Sequence, residues 1–126
     1  MRMMDLIHGN DPAETLVDFI RFACDFLDLR SIPDIDLIEE PIAGRQSNSF
    51  AAYIPGEKRV ILYAKNRHIL DVLRSLCHEL VHYRQDLKGQ LSKTSGQTGS
   101  PQENEANAVA GQIMRLYGKK HPELYP

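Results

Sequence analysis

The sequence has no apolar run that approaches the length of a membrane span, so the expectation is a chain without a transmembrane helix. It also has no excess of basic residues. Fifteen Lys and Arg stand against seventeen Asp and Glu, and the net charge is −2. That leaves no electrostatic footprint for direct contact with nucleic acid, and none is expected. Cysteines number only two, Cys24 and Cys77, which excludes a disulfide scaffold. Each falls on or beside an apolar stripe of an expected helix, so both read as buried reduced thiols. Met1-Arg2-Met3-Met4-Asp5 does not open a signal peptide, and a cytoplasmic location is expected. Neither an internal repeat nor a second composition regime is visible. With 126 residues, residues 1–126 read as a single domain with a modest core.

What is present is organised around one pentapeptide, His78-Glu79-Leu80-Val81-His82. Its pattern, H-E-x-x-H, lies within a long helical periodicity. Residues four apart share a helix face, so the two imidazoles can reach one ion. Glu79 stands beside them, where a carboxylate can take a proton from water held on that ion. Ile69, Leu73, Leu76, Leu80, Tyr83 and Leu87 form a single apolar stripe at 4-3-4-3-4 spacing, and the histidines project on the other side. Asp71, Ser75 and Gln85 share the histidine side; Gln85 reads equally as cleft lining or as exposed. Asn66 is the expected cap of this helix and Gly89 its end.

The remaining chain supplies a scaffold. Asp11-Pro12-Ala13-Glu14 is a helix start, and an amphipathic helix is expected over 11–29, ending ahead of Pro33. Ile35, Leu37 and Glu39 alternate with polar neighbours as a weak strand. Pro41 to Asn48 reads as a loop. Phe50–Ile54 and Arg59–Tyr63 read as a hairpin closed by Pro55-Gly56-Glu57-Lys58. The Ser-, Gly- and Gln-rich stretch from Leu91 to Ser100 reads as a loop, either a connector or a flap. Ser100-Pro101 opens a last helix with a small-residue face that allows close helix packing, and the tail from Gly118 reads as extended. The fold class is therefore α+β.

Two histidines do not complete a catalytic zinc site; three protein ligands and a water do. After the motif, Glu103, Glu105 and His121 are available. His121 stands beside lysines in a proline-containing tail and reads as a solvated surface residue, as do His8 and His68. The choice between Glu103 and Glu105 stays open on residue type alone.

His78 to His82, followed by a helix carrying Glu103, Ala106 and Asn107 as Glu-x-x-Ala-Asn, resembles the gluzincin branch of the zincin metallopeptidases. The resemblance implies Glu103 as third ligand. Glu105 has Ala108 and Val109 in the following places, lacks the polar follower, and is the reserve. Asn107 would then steady a ligand imidazole. The element order is similar to a minimal zincin-like fold, in the manner of the compact ImmA/IrrE-like and SprT-like domains. What this implies is a Zn²⁺-dependent peptidase with Glu79 as general base and a protein or peptide as substrate. One hairpin strand would take an extended substrate by strand addition. Tyr53, Tyr63, Tyr83 and Arg115 are candidates for a second oxyanion donor. The alternatives are a catalytically silent, metal-stabilised binding or regulatory protein on the same scaffold, and a regulator that docks on a DNA-bound partner.

Overall fold

The computed structural model describes residues 12–38, 50–92 and 97–125. Helix α1 runs Pro12–Phe26, strand β1 Asp34–Ile38, β2 Ala51–Ile54, β3 Arg59–Tyr63, helix α2 Ile69–Leu87 and helix α3 Pro101–Lys120. The architecture is α+β: three helices and one small mixed sheet in the order β1-β3-β2. Strand β1 runs parallel to β3 with Ile35 opposite Val60, and β2 runs antiparallel to it with Tyr53 opposite Val60. The expected hairpin is present, closed by a 3₁₀ turn over Pro55–Glu57 and by Lys58 at φ 49°. Among the described residues, β2 has no strand on its outer side.

The core follows from β3 and α2. Alternation in β3 buries Val60 and Leu62 on one face, and these pack with Ile69, Val72, Leu73, Leu76 and Leu80 of α2. Phe19, Ala23 and Leu27 close the core from α1 and its end, and Ala106, Ala110, Ile113 and Tyr117 from α3. The small residues of α3 do what their size allows: Ala106 and Ala110 are buried in the same core as α2. Leu87, the last residue of the expected apolar stripe, is 49 % exposed, because α2 ends there and nothing described covers it. Leu37 likewise faces outward on β1.

Several element ends differ from the sequence reading. Helix α1 stops at Phe26 rather than near residue 29. Asp28 adopts φ 55°, and the N–H groups of Asp28 and Leu29 donate to the Asp25 and Cys24 carbonyls. That is a left-handed C-terminal reversal, to which Asp is suited; Pro33 plays no part. Asn66 does not cap α2. It sits in a left-handed turn at φ 60°, and His68 is the cap, its Nδ1 accepting from the Leu70 N–H at 3.1 Å. At the other end of α2, Gly89 at φ 69° closes the helix as expected, with Gln90 N–H donating to the Gln85 carbonyl. The tail is not extended. Helix α3 continues to Lys120, and a 3₁₀ turn over Pro122–Leu124 folds the chain back, burying Leu124. Gly118 makes this possible: the Tyr125 ring lies where a Cβ at that position would be. The expected cap Asp11, the residue His8 and the loop from Pro41 to Asn48 lie outside the described residues.

Both cysteines are free and buried, Cys24 on α1 and Cys77 on α2. Burial raises both thiols, that of Cys77 to about 12. No helix among the described residues is long and apolar enough to cross a membrane.

Candidate metal centre

The site forms where the polar face of α2 meets the first turn of α3. His78 and His82 stand one turn apart with their Nε2 atoms 3.2 Å from each other. Glu103 is the third residue of α3. Its Oε1 lies 2.9 Å from His78 Nε2 and its Oε2 3.0 Å from His82 Nε2. Two ring nitrogens and the two oxygens of one carboxylate therefore converge on one point. Around a tetrahedral ion at zinc-like bond lengths, neighbouring ligand atoms stand about 3.3 Å apart. The observed spacings lie within a few tenths of an ångström of that value.

Local sequence explains why Glu103 is available. Ser100 caps α3, its Oγ accepting from the Glu103 N–H at 3.0 Å. In a reciprocal capping box, the glutamate would reach back to the N–H of the cap. Here that N–H already donates to the Gln97 carbonyl, and the carboxylate turns to the histidines.

Gln85 settles the orientation of His82. It is 1 % exposed, and its side-chain amide nitrogen donates to the Gln102 carbonyl and to Glu105 Oε1. Its Oε1, 2.8 Å from His82 Nδ1, must then be the acceptor, so His82 carries a proton on Nδ1. In the neutral ring, Nε2 then presents a lone pair toward Glu103 and His78, which is the arrangement a cation resolves. Asn107, one turn beyond Glu103, lies near enough to His78 to favour its protonated form. Burial holds His78 below its ordinary pKa and His82 pushes the same way, while Glu103 and Asn107 oppose them. The donor set of two imidazole nitrogens and one carboxylate suits a borderline divalent ion.

Glu79 is adjacent. It is 7 % exposed, and its carboxylate lies close enough to both imidazoles that His78, Glu79 and His82 by themselves form a group able to hold a metal ion. Glu103 touches both imidazoles, whereas Glu79 makes no hydrogen bond to either, so the geometry favours Glu103 as the direct contact. Burial raises Glu79 to about 7; the Glu103 charge adds to the rise and His82 opposes it.

These groups line a cleft of about 520 Å³. Phe50 to Tyr53 and Pro55 form one wall, α2 contributes Arg74 and Ser75, and Leu91 and Ser92 contribute the far rim. The wall is fixed by Arg67, which is buried. Its guanidinium donates to the Tyr63 and Phe50 carbonyls, to Asp71 and to Ser75 Oγ, and it stacks over the Phe50 ring. One side chain thus joins the ends of β2 and β3 to the first turns of α2.

The other candidates are distributed elsewhere. Glu105 engages Gln85 and not the imidazoles. Tyr53 lines the cleft, but its hydroxyl donates to Asp86 at 2.5 Å. Tyr83 is buried with its hydroxyl 2.6 Å from Ser31 Oγ. Tyr63 and Arg115 do not line the cleft. His121 is not simply solvated: at 33 % exposure it lies between Asp18 and Glu123, 3.4 and 3.1 Å away, beside the Tyr117 ring. Arg74 and Arg67 carried no motif signal in the sequence. Helical phase alone puts Arg74 near the face of His78.

The chain matches no protein-family model, and neither a curated protein nor a solved structure is significantly similar to it.

Proposed function

We propose that the chain is a zinc-dependent metallopeptidase of the minimal zincin type, with His78, His82 and Glu103 as ligands and Glu79 as general base. The convergence of two Nε2 atoms and one carboxylate at 2.9–3.2 Å, at the floor of an open cleft, carries this reading. A divalent ion bound there supplies a water of lowered pKa and polarises a carbonyl. The chain's own residues supply the rest. Gln85 holds the His82 imidazole in register, so that ligand need not reorganise, and Asn107 stands beside His78. Glu79, poised near neutrality by burial, takes a proton from the attacking water and returns it to the departing amine. The outer edge of β2, facing the cleft, offers backbone groups to an extended peptide.

Elemental analysis of protein purified without added metal should give close to one equivalent of zinc. Wild-type protein should hydrolyse members of a broad peptide library, and Glu79→Gln should lose that hydrolysis while keeping its metal. Fully loaded wild type that cleaves nothing would favour a silent binding protein on the same scaffold. Protein with no bound metal would remove both readings.

A further inference from the structure

One charged side chain in the cleft has no role in the centre just described. Arg74 is exposed on α2, one turn before His78, so the row Arg74, His78, His82 runs along one side of the helix with about 6 Å between successive members. Among the described residues, it has neither a hydrogen bond nor an ion pair. Asp71, three residues earlier, is the partner that helical spacing would give it. That carboxylate is held instead by Arg67 at 2.9 and 3.1 Å. The other charged groups of the described lining are the histidines and glutamates of the centre, so among the described residues Arg74 is the one Lys or Arg that lines the cleft. The rest of the described lining is neutral, with Phe50, Ala51, Ala52 and Ser75 among it. A planar guanidinium in such a place recognises a carboxylate through two parallel N–H donors.

Resting on the peptidase reading, we propose that Arg74 is the carboxylate anchor of this cleft and selects peptides with a carboxylate a residue or two from the bond held at the centre. That carboxylate is either an acidic side chain or a free C-terminus.

The test separates binding from turnover. Full-length, zinc-loaded Glu79→Gln protein is titrated into three fluorescently labelled peptide pools on one backbone, with binding read by anisotropy. One pool carries Glu and an amidated C-terminus, the second Gln and an amidated C-terminus, and the third Gln and a free C-terminus. The expected result is that the first or the third pool binds about tenfold more tightly than the second. Which of the two does so identifies the source of the carboxylate. Adding Arg74→Ala should erase the difference, Arg74→Lys should keep part of it, and Arg74→Glu should transfer the preference to a pool carrying Lys. Equal binding of the three pools, no binding of any, or a preference that survives Arg74→Ala would overturn the anchor. In the last case, the carboxylate is seated on the metal. Turnover of the same pools by protein with Glu79 intact judges the peptidase reading separately: a carboxylate preference without cleavage keeps the anchor and removes the hydrolysis.

Discussion

Gln85 Oε1 lies 2.8 Å from His82 Nδ1, one helical turn away, and this contact decides which nitrogen of His82 faces Glu103. Because the same amide also bonds the Gln102 carbonyl and Glu105, one buried side chain ties the imidazole of α2 to the first turn of α3. Gln85→Met keeps the volume and removes these bonds. It should weaken zinc affinity by about 10- to 100-fold, measured by chelator competition. Unchanged affinity would mean that His82 is oriented by packing alone.

The two glutamates of α3 make opposite predictions. Glu103 contacts both imidazoles, and Glu105 contacts only Gln85. Glu103→Ala should therefore lose bound metal, and Glu105→Ala should retain most of it, by elemental analysis after gel filtration. Chelation of the wild type should lower its melting temperature, since a ligand bound only to the folded state stabilises by mass action. Glu103→Ala should melt at one temperature with or without chelator.

Asp86 gives a pH dependence away from the candidate metal centre. Burial pushes its carboxyl upward, but the bonds from Lys58 Nζ and Tyr53 Oη, each 2.5 Å, outweigh that and leave it below the ordinary value. The folded state then binds fewer protons than the unfolded chain. The stability gained is present above the ordinary carboxyl pKa and is lost as pH falls through the folded one. Asp86→Asn should destabilise by on the order of 1 kcal/mol near neutrality. Its urea midpoint should approach that of the wild type below about pH 4. A gap that stays constant down to pH 3 would assign the loss to packing.

Leu76 and Leu87 belong to one stripe in the sequence and to different environments in the fold. Leu76 is fully buried, and Leu87 is half exposed at the end of α2. Leu76→Ala should cost about 2–5 kcal/mol and Leu87→Ala about 0.5 kcal/mol or less, by chemical denaturation.

Native Cys24 and Cys77 should resist an aromatic disulfide reagent at pH 8, because both are buried with raised thiols. Two thiols should appear in denaturant. Fast labelling of Cys77 in the native protein would show that the α1–α2 contact opens readily.

What could be read in the sequence was what is local. Two imidazoles four residues apart, the Ser100 cap and the hairpin with its tight turn all depend on short-range geometry, and each is found where the residues put it. Helix ends were less legible, because Asp28 and Asn66 can each take a left-handed turn and nothing nearby in sequence says which will. The fold-back of the tail depends on burying Leu124 in a core built by residues far away in sequence and on Gly118 meeting the Tyr125 ring. Gln85 and Arg74 could be placed on a helix side from periodicity. Their roles depend on what α3 and β2 bring to that side, and helical phase carries no such information.

The joint between α2 and α3 has a practical meaning for anyone who re-engineers this protein. Its coordinates are set by Gln85, Gln90, Gln102 and Ser100, through contacts that run from helix to helix or across their caps. A redesign that reshapes the cleft therefore has to leave these four side chains in place, because loosening any of them frees both helices at once.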